Sequence, residues 1–414
     1  MRDKIYLCLA HMSGKEQFFI QQAFDTHWVV PLGPNVDGFE ADLESFVGQG
    51  KRVVALSSGT AAVHLALVAC GIGPGDEVLT QSFTFCASSH PIKYLGATPV
   101  FIDSEPDTWN MDPDLLEKAI VDRMAKTGKK PKAIMPVALF GMPYKIDRIM
   151  EIAGRYDIPV IEDAAEGFGS RFNGQVIGTF GKYGVLSFNG NKMITTSGGG
   201  ALVTGSAEEW REVMMYATQY RESYPYYQHE KIGYNYRMSN ICAGIGRGQM
   251  TIVEEHIAHH KFVQKLYEEL LGPVPGIHVH SQPATGEYDS NYWLCTITID
   301  ENVQVKGQEN AYSSIVNGAV GGAAGVIHRA KSAVTDCQPN DNVEAMRVFL
   351  LDANIESRPV WKPMHKQPVY QDAPAYINGV SEAIFKKGMC LPAGPCVTEE
   401  DVRYIVDTIK QAIL

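Results

Sequence analysis

The sequence predicts an α/β protein with a mostly parallel, helix-covered β-sheet, followed by a smaller α+β unit. Between residues 51 and 205, short apolar runs alternate with helix-like stretches, as in strand–helix repeats. The runs are rich in Val, Ile and Leu without strict alternation, which is typical of strands covered on both faces. Beyond Pro273 the pattern changes to shorter strands and a final helix.

Seven apolar runs are the predicted strands of the sheet. They are RVVAL (52–56), EVLT (77–80), TPVFID (98–103), KAIMPVAL (132–139), PVIEDAA (159–165), YGVLSF (183–188) and GALVT (200–204). The clearest helix, GTAAVHLALVACG, is closed by Gly71 and Gly73. Residues 206–272 are predicted to be helical as far as Gly272.

The C-terminal part is expected to be a second domain. YWLCTITID (292–300) predicts a strand, and a helix is expected after Thr398. We therefore divide the chain into a large α/β domain (1–250) and a small α+β domain (251–414). The Gly- and Ala-rich tract 313–336 predicts an insertion within 303–345.

Charge and cysteine usage narrow the classes of function. The 414-residue chain has a net charge of −11, which argues against binding nucleic acid by bulk electrostatics. No run approaches 18 apolar residues, and the N-terminus does not resemble a signal peptide. Eight dispersed cysteines without a CxxC pair suggest reduced thiols in a cytoplasmic protein.

The helix start at Ser58, Gly59 and Thr60 is a candidate phosphate site. It follows the RVVAL strand, and the free N–H groups of a helix start attract anions. Simple helix capping explains the same residues. The stretch matches neither GxxxxGK[ST] nor GxGxxG, so the common nucleotide-binding fingerprints are absent.

Asp163 and Lys192 are the candidate catalytic pair. Asp163 ends an apolar run, at the edge of an α/β sheet where ligands bind, and a protonated ring nitrogen would be a fitting partner. Lys192 lies in SFNGNKMITTSGGG between two strands, where a partly desolvated amine can act as nucleophile and proton carrier. Taken singly, a capping aspartate and a solvated turn lysine explain them equally well. Together with the phosphate site they form the set that a pyridoxal phosphate enzyme needs.

Other candidate side chains are less informative. Phe85 follows the EVLT strand and is a candidate to stack on a cofactor ring, although aromatic residues there also occupy cores. His256, His259 and His260 are interpreted as a solvated helix face, because no carboxylate is placed for an HExxH-type zinc site. We predict no metal site.

Nine motifs together resemble the DegT/StrS-type nucleotide-sugar aminotransferases, which depend on pyridoxal 5'-phosphate. The resemblance runs from about residue 10 to about residue 410, apart from the insertion. The motifs are PLGPNVDGFE, SSGTAAVHLAL, GPGDEVLTQSFTF, GATPVFID, VIEDAAEGFGS, GTFGKYGVLSFNGNKMITTSGGG, GYNYRMSN, RPVWKPMH and KGMCLPAG. The resemblance implies fold type I, the aspartate-aminotransferase type, and a homodimer with active sites at the subunit interface.

The resemblance also assigns roles to the catalytic and cofactor-binding residues. Lys192 would hold the cofactor covalently and move a proton, and Asp163 would pair with the pyridine nitrogen. Glu166 would approach the ring hydroxyl, and Phe85 would stack on the ring. The residues expected to bind the phosphate are Gly59, Thr60, Ser187 and, from the neighbouring subunit, Asn235, for which Arg237 is a competing choice.

Arg358, Trp361 and His365 look like part of the sugar-nucleotide site. The details are most similar to transaminases that act on UDP-4-keto-6-deoxy-N-acetylglucosamine on the way to N-acetylbacillosamine, with L-glutamate as donor. Related sugar dehydratases carry histidine at the lysine position, so Lys192 favours transamination. Another keto sugar (a C3 ketone or a dTDP sugar) and a non-catalytic regulatory protein of this fold stay open.

Overall fold

A central β-sheet of eight strands organises the protein, which a computed structural model describes over residues 2–312 and 337–414. The predicted insertion tract 313–336 lies outside these residues. The strands along the described chain are β1 (Arg52–Leu56), β2 (Glu77–Gln81), β3 (Thr98–Ile102), β4 (Ala133–Met135), β5 (Ile161–Asp163), β6 (Arg171–Phe172), β7 (Gln175–Val176), β8 (Tyr183–Ser187), β9 (Gly200–Thr204), β10 (Ile277–Val279), β11 (Tyr288–Asp289), β12 (Cys295–Ile299), β13 (Arg358–Pro359), β14 (Ala375–Tyr376) and β15 (Gly388–Leu391).

The central sheet is mostly parallel, as the sequence predicts. Its order is β14-β3-β2-β4-β5-β8-β9-β1, and parallel bridges between Ile134 and Val160 and between Val137 and Asp163 join its two halves. Strand β9 alone runs antiparallel to its neighbours β8 and β1. Each of the seven predicted apolar runs coincides with one of these strands to within a few residues at either end. The carboxyl ends of β1, β2, β4, β5 and β8 therefore meet at one edge.

Helices cover both faces of the central sheet. The helices along the described chain are α1 (Glu16–Asp25), α2 (Pro34–Val47), α3 (Gly59–Ala69), α4 (His90–Tyr94), α5 (Pro113–Thr127), α6 (Ile146–Tyr156), α7 (Ala207–Ala217), α8 (Asn240–Met250), α9 (Val253–Leu271), α10 (Asp341–Asp352), α11 (Val380–Lys387) and α12 (Glu399–Ala412). Val53 of β1 packs in one core with α2, α5 and α6, and Val54 packs in another with α3 and α7. Two-sided burial explains why the strands are apolar without alternation.

The helical prediction for residues 206–272 is wrong between α7 and α8. Residues 219–239 form an irregular, tyrosine-rich segment that folds back on α7 through hydrogen bonds such as Tyr234 N–H to Tyr216 O (2.7 Å). The segment contains Pro225, which disfavours a helix. Gly233 passes so close to the backbone of Tyr220 that a Cβ would lie 2.3 Å from its nitrogen.

A second, antiparallel sheet of order β10-β12-β15-β13 forms the centre of the C-terminal part. It packs with α9, α10 and α12 around a separate apolar core that also contains Ile5 of the N-terminal segment. The predicted last helix begins after Thr398, whose side chain forms a capping box with Asp401. Strand β14 instead returns to the large sheet beside β3. A domain boundary at residue 250 stays a prediction.

Helix α9 buries two histidines that the sequence analysis placed in solvent. His256 is 4 % exposed and His260 is fully buried, whereas His259 is partly exposed. The interpretation fails because α9 lies between two cores, with Ile257 in the large one and Val263 in the small one. Among the described residues, no helix is long and apolar enough to cross a membrane.

Candidate active site

A cavity of about 290 Å³ lies at the carboxyl edge of the central sheet. Residues that follow five parallel strands converge on it, because parallel strands present their carboxyl ends on the same side. Eight predicted site residues line it, together with Trp293 from the C-terminal part. These eight are Gly59, Thr60, Phe85, Asp163, Glu166, Ser187, Lys192 and Trp361.

The start of α3 closes one end of the cavity. Ser58 caps this helix by accepting a hydrogen bond from the Ala61 N–H (3.0 Å). Helix starts carry unpaired N–H groups and a partial positive charge, so Gly59 and Thr60 can present both to an anion. A Cβ on Gly59 would lie 2.9 Å from Cβ of Ser187, so glycine is needed for the helix to approach the end of β8.

Asp163 lies at the end of β5 and is 5 % exposed. Its carboxylate accepts hydrogen bonds from Ser88 Oγ (2.6 Å) and the Ala165 N–H (3.1 Å). Burial raises the pKa of Asp163 above its ordinary value, and these hydrogen bonds and the charge of Lys192 oppose that rise. A cationic group placed against this carboxylate would be stabilised strongly.

Lys192 and Glu166 form an ion pair inside the cavity. The Lys192 Nζ lies 3.6 Å from Glu166 Oε1, and Glu166 Oε2 accepts a hydrogen bond from the Phe140 N–H (2.7 Å). Burial raises the pKa of Glu166, against the attraction of Lys192. Lys192 thus pairs with Glu166 from a loop between β8 and β9, in the same cavity as Asp163.

Two further residues contact Lys192 and Asp163, and neither is predicted from the sequence. The Trp293 ring lies under the Lys192 ammonium, with 3.9 Å from Nζ to the ring centroid, and Ser88 links Asp163 to Thr84 through a 2.8 Å hydrogen bond. Both line the cavity. The only sequence signal for Ser88 is its place in TQSFTFCASSH, four residues after Thr84. Nothing local marks Trp293.

Phe85 and Trp361 form the aromatic wall of the cavity. Their ring centroids are 6.2 Å apart, and Phe85 is 55 % exposed. The Trp361 indole lies near Glu166 and its N–H has no hydrogen bond of normal geometry among the described residues. A second cavity of about 500 Å³ shares Phe85, Trp361 and Thr84 with the first and extends to Lys362 and Val369. The aromatic wall therefore lies between two neighbouring cavities.

Other predicted site residues lie outside the first cavity. Arg358 in β13 pairs with Glu356 (2.9 Å). The His365 side chain is 8 % exposed, and its ring nitrogens contact Ser82 Oγ (2.7 Å) and Glu382 (3.2 Å). The structure thus brings Trp361 to the site but not Arg358 or His365.

Asn235 is exposed on the irregular segment, where it forms a β-bridge with Thr218 just after α7. The alternative residue, Arg237, forms a buried ion pair with Glu40 and donates a hydrogen bond to the Ala55 carbonyl (3.1 Å). Of the two side chains, Asn235 is the one available to another molecule.

The residues of the cavity fit pyridoxal phosphate. The start of α3 and Ser187 can receive the phosphate, and the buried Asp163 can receive a protonated ring nitrogen. Glu166, which pairs with Lys192, can receive a ring hydroxyl, and Phe85 offers a face for the ring. Together these features fit one ligand, which none of them would identify alone.

Comparisons with known proteins show the family and the fold of this chain. The sequence matches the DegT/DnrJ/EryC1/StrS aminotransferase family over residues 11–324 and 308–410. It is 41 % identical to EpsN of Bacillus subtilis (strain 168), provisionally named as a pyridoxal phosphate-dependent aminotransferase, over 99 % of this chain and 96 % of that protein. It is 32 % identical to the GDP-perosamine synthase of Escherichia coli O157:H7, over 97 % and 96 %. The crystal structure of a DegT DnrJ EryC1 StrS aminotransferase from Brucella abortus superposes with a TM-score of 0.81 at 27 % identity, over 96 % of this chain and 95 % of that one.

Proposed function

The chain belongs to the DegT/DnrJ/EryC1/StrS aminotransferase family of pyridoxal phosphate-dependent sugar aminotransferases, and from that premise we propose how its own residues work. We propose that Lys192 is the catalytic amine and that Asp163 and Glu166 orient the cofactor. The observation that carries this assignment is the meeting of one lysine and two buried carboxylates in a cavity that ends at a helix start.

Pyridoxal phosphate, when bound, supplies the electron sink that allows a proton to leave the carbon bearing the amino group. Asp163 would keep the ring nitrogen protonated, since a buried carboxylate without a cation beside it is costly. Ser187 and the N–H groups of Gly59 and Thr60 would hold the phosphate. Phe85 would fix the ring plane by stacking.

Lys192 would carry the proton between carbon atoms. Its Nζ contacts both Glu166 and the Trp293 ring, and all three residues line the cavity. General acid–base transfer by a positioned group typically contributes about 10²- to 10⁴-fold in rate. The low solvent exposure of the lysine side chain, 14 %, limits competition from water.

The acceptor we propose is the C4 ketone of a UDP-4-keto-6-deoxy-N-acetylhexosamine, with L-glutamate as the amino donor. The sugar would enter past Phe85 and Trp361, and the nucleotide would occupy the second cavity. Motifs such as SFNGNK and RPVWKPMH support the bacillosamine-type substrate. A GDP-linked keto sugar is the second candidate, because a relative 32 % identical along nearly the whole chain is named GDP-perosamine synthase.

We further propose that the enzyme works as a homodimer. The support is Asn235, which is exposed and whose side chain makes no hydrogen bond to the described residues. Arg237, in contrast, is buried in an ion pair with Glu40. Asn235 of one subunit would complete the phosphate site of the other. Mixing Asn235→Ala and Lys192→Ala subunits tests this. Shared sites predict that mixed dimers recover activity, because one of their two sites has both native residues, whereas self-contained sites predict no recovery above the unmixed Asn235→Ala protein.

The function is tested by incubating the loaded enzyme with L-glutamate and a panel of UDP-, GDP- and dTDP-linked keto sugars, with products read by mass spectrometry. We expect a UDP-4-amino sugar and 2-oxoglutarate in equal amounts. Lys192→Ala should abolish both products, whereas Lys182→Ala, which changes an exposed lysine at the start of β8, should not. Faster amination of a GDP sugar would overturn the substrate assignment, and full turnover by Lys192→Ala would overturn the mechanism.

A further inference from the structure

The peptide that carries Lys192 is held by side chains from distant parts of the chain. The carbonyls of Asn191 and Met193, the two neighbours of Lys192, contact the ring nitrogens of Trp293 (2.6 Å) and His256 (3.2 Å). Two residues further on, the Thr195 N–H donates to Gln249 Oε1 (3.3 Å). The loop makes few backbone hydrogen bonds of its own around Lys192, of which Lys192 N–H to Asn189 O (2.9 Å) is one.

The ring orientation of His256 follows from its partners. A carbonyl only accepts hydrogen bonds, so His256 Nδ1 must carry the hydrogen that it donates to Met193. Its Nε2 then accepts from His11 Nδ1, 3.1 Å away. Burial lowers the pKa of His256, which favours this neutral form. The ring is thus fixed on both sides, and it is 4 % exposed.

We propose that His256 is a positioning residue for Lys192. It does not line the cavity, so it acts only through the Met193 carbonyl. With Trp293 on the other side, it fixes the backbone on both sides of the lysine while leaving the long side chain free to move. The rigid support comes from α9, which is packed between both apolar cores. This proposal rests on the assignment of Lys192 as the catalytic amine.

A lysine that must first hold the cofactor and then move a proton depends on a well-placed backbone. A displacement of about 1 Å far from the chemistry can cost on the order of 100-fold in rate. Loss of the His256 bond should therefore lower kcat by about 10- to 100-fold, with little change in KM for the sugar, since His256 touches neither cavity.

The experiment compares His256→Phe with two further variants. His256→Asn places an amide N–H where Nδ1 stood, so it should recover most of kcat. His259→Phe is the matched control, because His259 on the same helix also donates to a backbone carbonyl, that of Val397 (2.8 Å), away from Lys192. Both Phe variants lose one ring–carbonyl bond, but only one of these bonds reaches the lysine peptide.

A second readout uses the protein without cofactor. Amide hydrogen exchange in residues 188–199 should be about fivefold faster in His256→Phe than in wild type, and unchanged in His259→Phe. If His256→Phe does not fold, His256→Gln replaces it, because the glutamine amide lies one bond beyond the position of Nδ1 and does not reproduce the bond to Met193. The proposal fails if the two Phe variants lose equal kcat, if Asn restores nothing, or if exchange in 188–199 is unaltered. An absence of turnover in wild type would instead count against the proposed substrate and leave the exchange comparison intact.

Discussion

Replacing Ser88 with Ala should weaken the binding of pyridoxal phosphate. Ser88 Oγ donates a 2.6 Å hydrogen bond to the buried Asp163, and a hydrogen bond to a charged group is worth about 1.5–3 kcal/mol. Burial already raises the pKa of Asp163, so losing this donor raises it further and populates the neutral acid. A protonated ring nitrogen binds only the ionised form of Asp163. Ionising Asp163 without the Ser88 hydrogen bond costs up to the free energy of that bond. Because about 1.4 kcal/mol corresponds to a tenfold change in a dissociation constant, the dissociation constant for pyridoxal phosphate should rise by up to about 10- to 100-fold.

The assay is an absorbance titration of cofactor-free protein with pyridoxal phosphate at pH 6, 7 and 8. The defect relative to wild type should shrink as the pH rises, because the neutral fraction of Asp163 falls with rising pH. Ser89→Ala is the control, since Ser89 Oγ donates to the Cys86 carbonyl (3.2 Å) and not to Asp163. The reasoning is refuted if Ser88→Ala binds the cofactor as tightly as wild type at pH 6, or no more weakly than Ser89→Ala.

Two further changes test other parts of the structure. Gly59→Ala would place a Cβ 2.9 Å from the Ser187 side chain and push the start of α3 away from β8, so phosphate-dependent cofactor affinity should fall by about tenfold or more. Gly73→Ala, where a Cβ meets nothing within 4 Å, should leave the affinity unchanged. His260, whose pKa burial lowers to about 3, binds its proton in the unfolded chain but not in the folded one between about pH 6.5 and pH 3. Wild type should therefore lose about 2 kcal/mol of its free energy of unfolding between pH 7 and pH 5 through this one group, and His260→Asn should not.

The predictions for Gly59 and His260 can each be contradicted by one measurement. Equal affinities of the Gly59 and Gly73 variants, measured by the same titration, would show that the close approach of α3 to β8 does not shape the phosphate site. Urea unfolding of wild type and His260→Asn with parallel pH dependence from pH 7 to pH 5 would show that His260 is not held neutral. His260→Asn retains a side-chain N–H for the Tyr292 carbonyl that the native ring contacts at 3.1 Å.

The sequence predicts the strands and the chemical groups of the site because both leave local patterns. Runs such as RVVAL and GALVT become β1 and β9 without a shift in their bounds, since strands buried on both faces must be apolar throughout. Asp163 ends one such strand and Lys192 lies in the loop after another, so the predicted topology places both at one edge of the sheet.

The supports of the site are hidden from the sequence because they come from far along the chain. Trp293 and Asn191 are 102 residues apart, and His256 and Met193 are 63 apart. No local period links such pairs. The same cause explains the wrong interpretation of His256 and His260, because helical spacing does not reveal that a second core covers that face of α9.

Trapping the cofactor on the protein tests the central assignment most directly. Borohydride reduction of the loaded enzyme should fix pyridoxal phosphate to the amine that holds it, and peptide mass spectrometry then identifies that residue. We predict that the adduct lies on Lys192 and is absent from Lys192→Ala, while Lys182→Ala carries it fully. An adduct on another lysine of the wild-type enzyme, or an undiminished adduct in Lys192→Ala, would contradict the assignment.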